Sequence, residues 1–314
     1  MTRTYFVVAL LLLVVVGTGA PAAQMAPATQ VVTESKMYLP LVVHNTFEPV
    51  IGFATNRDGN FEIYVVNPRS LTERNVTRHG GDDMAPAFAP GGRLAWASTR
   101  DGNWEIYTGD VFGRNIRRLT FNAATDYDPT WSPKGERIAF TSDRSGNMDI
   151  WAIDADGTRL VQLTFSPSQQ RQPAWSPDGR KIAYVSDQDG NDEIYVMNAD
   201  GSEKRRLRPL TSSSERFPAW SPDSRWILFT TNLDGPFQLY AINVEELTLQ
   251  PVMADPVFEA EGNWSEDGKR VVLRSTRDDN TDLYMIDFDG IGLGTGLRRL
   301  TSNTADDIQP AWSR

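Results

Sequence analysis

From residue 51 onward, apolar and polar residues alternate in short runs separated by turn phrases. In Lys181–Ser186, Ile182, Tyr184 and Ser186 fall on one side and Ala183 and Val185 on the other, the period-two pattern of a packed strand. Ser176-Pro-Asp-Gly179, Asp189-Gly-Asn191 and Ala199-Asp-Gly201 punctuate the runs. Pro presets φ for a turn, Gly accepts a positive φ, and Asp-Gly is a hairpin signal. Around Trp175 the pattern predicts strands over Pro173–Ser176, Lys181–Ser186, Glu193–Asn198 and Arg206–Thr211. No stretch carries a helical period of useful length, so the mature chain is predicted to be all-β.

The same four-strand unit recurs. One anchor is an aromatic before a turn: Phe88-Ala-Pro-Gly-Gly, Trp131-Ser-Pro-Lys-Gly, Trp175-Ser-Pro-Asp-Gly, Trp220-Ser-Pro-Asp-Ser, Trp264-Ser-Glu-Asp-Gly and Trp312-Ser, at steps of 43, 44, 45, 44 and 48 residues. A second anchor ends at Tyr64, Tyr107, Trp151, Tyr195, Tyr240 and Tyr284, at steps of 43, 44, 44, 45 and 44. Four strands in about 44 residues is the signature of a propeller blade. Lettering strands A to D outward from the axis, the repeats begin at strand B (Ile51–Thr55) and end at strand A (Pro310–Ser313). Six blades follow, and the C-terminal A strand must complete the blade begun by the N-terminal B, C and D strands. Such closure leaves no exposed sheet edge around the ring. Six aromatics at one blade position read as packing between blades.

The stretch Pro173-Ala-Trp-Ser-Pro-Asp-Gly-Arg-Lys-Ile-Ala-Tyr-Val-Ser186, with Glu193-Ile-Tyr-Val-Met-Asn-Ala-Asp-Gly201 and Leu210-Thr211, resembles the TolB-type propeller repeat over about residues 50 to 314. The resemblance implies a six-bladed fold. It does not imply one function, because that repeat serves binding scaffolds, peptidase-associated propellers and some polysaccharide lyases. TolB itself carries an α/β domain ahead of its propeller, where this chain has some 25 residues.

Ahead of the repeats, Arg3, the apolar run Phe6–Val16 and the small residues Gly17–Ala23 predict a secretory signal over residues 1–23. The apolar run of 11 residues is shorter than the roughly 20 needed to span a bilayer, so the mature chain is expected to be periplasmic or extracellular without a transmembrane span. Residues 24–48 read as a linker, with Met37–Val43 as a short strand or packed segment, and residues 49–314 as the propeller. The net charge of −10 argues against nucleic acid and anionic membranes, and favours a cationic partner. With no cysteine, disulfides and thiolate chemistry are excluded.

Catalytic motifs are sparse. The two histidines, His44 and His79, recur in no repeat, and no Gly-x-Ser-x-Gly or His-Glu-x-x-His phrase occurs. The phrase Asp187-Gln-Asp-Gly-Asn-Asp-Glu193 reads as a hairpin, since the rest of a calcium loop is missing. Five residues before each repeated aromatic stand Asp83, Asp126, Gln170, Glu215, Glu259 and Asp307. These are expected in the loops entering strand A, where they converge on one mouth of the central channel. Such an acidic ring would attract a cationic peptide or hold Ca²⁺. Arg57, Arg100, Arg144 and Arg277 lie on the same face in the B–C turns, and could instead pair with acids of neighbouring blades. The expected function is a secreted, monomeric, non-enzymatic scaffold for a peptide or protein segment, without a cofactor unless calcium occupies the channel. The alternatives are a carbohydrate-binding or cell-envelope module, with Tyr127, Phe217 and Phe258 as stacking candidates, and a propeller-type glycosidase or lyase.

Overall fold

A computed structural model describes residues 48–208 and 213–313. The predicted signal peptide, the Met37–Val43 segment and His44 lie outside the described residues, as do residues 209–211 of the predicted strand Arg206–Thr211. Within them are twenty-four strands, β1 to β24 along the chain, in six four-stranded antiparallel sheets. No helix among the described residues is long and apolar enough to cross a membrane.

The first blade is ordered β24 (Asp307–Trp312), β1 (Ile51–Thr55), β2 (Glu62–Val66), β3 (Glu73–Asn75) from the axis outward. The C-terminal strand thus closes the ring as the phase of the repeats requires. Ile51 pairs with Trp312 and Thr55 with Asp307. The Ser313 amide donates to the Val50 carbonyl and the Val50 amide to the Ser313 hydroxyl, both at 2.9 Å. The other five blades are consecutive: β4–β7, β8–β11, β12–β15, β16–β19 and β20–β23.

Six apolar clusters hold the ring, each drawing residues from two adjacent blades. The repeated aromatics sit inside them. The Trp220 indole donates across to the Ala174 carbonyl of the preceding blade at 3.0 Å. At the first interface the anchor is Phe88, and a side chain on Gly52 would meet its ring at 2.8 Å, so the two blades approach there as closely as backbone allows.

Two predicted boundaries shift. The innermost strand around Trp175 is β12 (Gln170–Trp175), starting three residues before the prediction and stopping at the tryptophan. The outermost is β15 (Arg205–Arg206), only two residues long. The early start is hidden in sequence by a β-bulge, repeated in β4 (Asp83–Ala89), β8 (Asp126–Trp131), β16 (Glu215–Trp220), β20 (Glu259–Trp264) and β24. In the second blade, Ala85 and Pro86 oppose a single residue of the next strand, between the pairs Met84–Ala97 and Ala87–Ala95.

Candidate functional site: the central channel

The six positions singled out in sequence do come together as a ring, but inside the wall. Each is the first residue of an innermost strand rather than a loop residue, and all are between 0 and 3% exposed. The arginines that pair with four of them lie within the same blade, not on a neighbour as expected. Arg100 reaches both carboxylate oxygens of Asp83 at 3.1 and 3.0 Å, and Arg144 those of Asp126 at 2.7 and 2.6 Å. Arg277 holds Glu259 at 2.6 Å and Arg57 holds Asp307 at 3.0 Å. The reason is local: the B–C turn folds back over its own inner strand. A serine hydroxyl at the end of strand B fixes the arginine, as Ser98 does Arg100 at 2.9 Å.

Where the turn lacks arginine, the acid position adapts. In the blade with Gln188 at the arginine position the acid is replaced by the neutral Gln170, whose amide donates to the Ser186 hydroxyl at 3.0 Å, while Gln188 donates to the Tyr195 hydroxyl. Leu233 leaves Glu215 without an arginine from its own turn, and that carboxylate accepts the Ile194 amide of the preceding blade at 2.9 Å. Burial pushes Glu215 up to about 7. Burial, then the charge of Asp255, pushes Glu259 up to about 8.

The channel itself is lined two residues further along each inner strand, by Ala85, Asp128, Gln172, Phe217, Glu261 and Gln309. All six have left-handed backbone, φ between 53° and 57°. That conformation costs about 1–2 kcal/mol for a residue with a side chain, and the bulge imposes it in every blade. The bulge also frees the residue's amide, and side chains around the ring take up most of these amides. Glu261 accepts the Gln309 amide at 2.6 Å, Gln309 the Ala85 amide at 2.8 Å, and Gln172 the Phe217 amide at 3.0 Å. The Gln172 amide donates to the Thr141 hydroxyl at 3.1 Å. Ala85 and Phe217 cannot accept, and the Glu261 amide turns to the Thr230 hydroxyl at 3.1 Å instead. Below this ring, Pro86, Pro129, Pro173, Pro218 and Pro310 line the wall with residues that offer no amide donor.

The channel holds a cavity of about 170 Å³, below the roughly 300–1,000 Å³ of drug-sized ligand pockets. It admits a side chain or a chain end rather than a whole ligand. Burial, followed by the charge of Glu261, pushes the Asp128 carboxyl up to about 7. Burial also raises Glu261, against the opposing charge of Arg274 at 3.2 Å.

The mouth above this ring is two-sided. On one side Trp104 meets Tyr127 edge-on at 4.9 Å, and Phe61, Met84 and Ile308 pack against the apolar cluster between the first two blades. On the other side Arg171 and Arg216 both pair with Asp192, Arg216 at 2.6 Å, and Arg274 lies 5.4 Å over the Phe258 ring. Tyr127 accepts from Gln309 at 3.4 Å. Tyr127, Phe217 and Phe258 are thus half-buried structural neighbours of the mouth, not free platforms.

Sequence reading missed two repeated groups. Asn60, Asn103, Asn147, Asn191 and Asn280 in the B–C turns donate to carbonyls of the loop entering strand A. Asn103, for example, reaches Asn122 and Ala124 at 3.1 and 2.6 Å. Glu62, Glu105, Asp149, Glu193 and Asp282 open the C strands as a second set of buried acids. The signal was present in both cases, as a residue recurring at one phase of the repeat. Among the described residues no group of three or more acids, histidines or cysteines is placed to hold a metal ion.

The TolB beta propeller domain matches residues 48–173 and 166–269. The chain belongs to that family. No curated protein matches it. Among solved structures it is similar to a putative TolB from Agrobacterium tumefaciens (22% identity, TM-score 0.67, covering 82% of this chain and 90% of that one). TolB from Acinetobacter baumannii is similar at 19% identity and TM-score 0.73, over 85% of this chain and 67% of that one. An oligogalacturonate lyase in complex with manganese shares the fold at 14% identity and TM-score 0.58, over 80% and 73%. At these identities the TolB beta propeller likeness fixes the fold alone, and function has to be argued from the site.

Proposed function

We propose that the protein is an exported, non-enzymatic scaffold that binds a peptide or protein segment at the channel mouth. One observation carries this reading. The positions that build the blades repeat, whereas Ala85, Asp128, Gln172, Phe217, Glu261 and Gln309 are nearly all different, though their backbone is the same. The fold needs the left-handed turn at each position, but Ala85 and Phe217 occupy it without an amide-accepting side chain. A rigid ring presenting unlike groups around one opening suits an extended chain, which offers alternating apolar and polar contacts. The apolar side around Trp104 and Tyr127 would take an apolar side chain, and Asp128 and Glu261 a cationic group entering the channel.

Peptide-display selection on the mature protein tests this. Selected peptides should bind the Arg216→Glu variant at least tenfold more weakly, because Arg216 is partly exposed beside the mouth. Peptides that bind parent and variant equally would place recognition elsewhere and overturn the reading. A carbohydrate-binding surface is the second reading, favoured by Phe121 and Phe165, which stand 72% and 74% exposed at matching positions of adjacent blades. A glycan array with the Phe121→Ala, Phe165→Ala double variant as control tests it.

A further inference from the structure

The outer part of the channel-mouth face carries a receptor that three blades fill with their own arginine and the first blade leaves open. In the second blade, Arg118 stands beside Tyr107 across the C–D strand pair. Its guanidinium bridges two acids, Asp101 at 3.0 Å and Glu105 at 2.8 Å, and its Nε donates to the Thr120 carbonyl at 2.7 Å. The sixth blade repeats the arrangement. Arg299, beside Tyr284, reaches Asp278 at 3.5 Å, Asp282 at 2.5 Å and the Thr301 carbonyl at 2.8 Å. In the fourth blade Arg206, beside Tyr195, pairs with Asp189 at 3.6 Å and with Glu193.

The first blade keeps both acids, Asp58 and Glu62, and its tyrosine, Tyr64. The residue beside Tyr64 is Asn75. Asn75 donates to Asp58 at 2.9 Å but makes no bond to Glu62. Glu62 is 3% exposed and accepts the Thr77 hydroxyl and the His79 amide, both from its own blade, yet no cation pairs with it among the described residues. Burial raises its carboxyl. In front of these groups lies an open recess of about 450 Å³, lined among others by Asp58, Glu62, Tyr64, Asn75 and His79.

The remaining blades act as internal controls. The third has Gln162 at the arginine position, and there the turn acid is Ser145. The fifth has Pro251, and there the buried acid is Gln238. In both, loss of the arginine goes with loss of one of the two acids, as the cost of an unpaired buried carboxylate demands. The first blade alone has lost the arginine and kept both acids. Arg78 also borders the recess, but its side chain is exposed and makes no ion pair with either acid.

We infer that the recess of the first blade is a binding site for a guanidinium group supplied from outside the chain, the arginine side chain of a bound peptide or protein. A guanidinium meets two carboxylates and a carbonyl in one plane, which an ammonium cannot do. The site is separate from the channel and stands or falls independently of what the channel binds.

The test uses the mature protein with Nα-acetyl-argininamide as probe and its citrulline counterpart as the uncharged control, read by NMR shift titration. The parent should bind the arginine probe at least tenfold more tightly than the citrulline probe. Asn75→Arg fills the recess from within. It should abolish probe binding and raise Tm, whereas Arg216→Glu should leave probe binding unchanged. Asp58→Asn, an exposed change that spares folding, should weaken the probe about tenfold, as expected for loss of one charged bidentate partner. Equal binding of the two probes by the parent, or undiminished binding by Asp58→Asn, would overturn the assignment even if Asn75→Arg failed to fold.

Discussion

Removing the indole of Trp312 should weaken the whole ring, because closure runs through a single strand. Trp312 is 4% exposed and packs with Ile51, Phe53 and Leu283 between the sixth and first blades. Its amide donates to Asn263 at 3.1 Å, and Arg270 lies 5.4 Å over its ring. An aromatic side chain buries about 150–250 Å², and at about 25 cal/mol per Å² this is worth roughly 4–6 kcal/mol. Measured aromatic-to-alanine changes in cores cost about 3–5 kcal/mol, a large part of a total stability of about 5–15 kcal/mol. At the roughly 2–4 °C per kcal/mol of large domains, Trp312→Ala should lower Tm by roughly 6–20 °C in a calorimetric melt. Trp220→Ala, in the middle of the chain, is the control for packing alone. Ending the chain at Asp306 adds the second arm. It removes all of β24, takes the Asp307 partner from Arg57, and leaves β1 as an unpaired inner edge. That truncated chain should lose its cooperative transition. A truncated chain that melted with the parent would refute the closure argument, whatever the tryptophan contributed.

Three further outcomes follow from the inner ring and its turns. Asp126→Asn should cost about 2–3 kcal/mol by stranding Arg144, while calcium and basic-peptide titrations stay as in the parent; weakened binding without lost stability would show the acids to be ligand groups. Asp128 binds its proton more tightly folded than unfolded, so its contribution to stability falls as pH rises from about 4 to about 7. Asp128→Asn should therefore raise Tm at pH 8 and leave it close to the parent at pH 4, and an unchanged difference across that window would contradict the burial of this carboxyl. Asn103→Ala should cost about 1–2 kcal/mol by freeing two carbonyls, with faster hydrogen exchange confined to the loop Phe121–Thr125; protection equal to the parent would exclude the clamp.

The blade count, strand order and closure were legible because a 44-residue period preserves two independent anchors, and because period-two alternation survives in the B and C strands. Reading failed where geometry breaks the alternation. Gln170-Arg-Gln-Pro173 looks like a polar loop, yet it is inner strand. The left-handed Gln172 turns one residue into the channel, and Pro173 conceals the register behind it. Missing that start put the acid position in a loop and made it look like a channel mouth. The pairing arginines were identified, but not their blade, since a one-dimensional repeat does not tell whether a turn folds over its own sheet or the next. The channel residues differ in kind, and the one sequence mark they share, a following proline in five of six blades, reads as a turn rather than as a channel wall.

Repetition in such a chain separates architecture from function in a way that a single-copy fold does not allow. An acid present in five of six blades, four times paired with an arginine of its own blade and once held by an amide of the preceding blade, is accounted for by the ring that needs it. This turns the most regular feature of the sequence into the weakest candidate for recognition. The informative positions are those where the pattern breaks while the surroundings that required it persist. By that criterion Gln170 with Gln188, and Gln238 with Pro251, are balanced losses, the charge and its partner leaving together. Asn75 is unbalanced: the cation is gone, and Asp58, Glu62 and Tyr64 still frame its place. A buried carboxylate kept without its cation is costly to the fold. A ligand that returns the cation on binding removes that cost, and couples occupancy of the recess to the stability of the blade through which the ring closes.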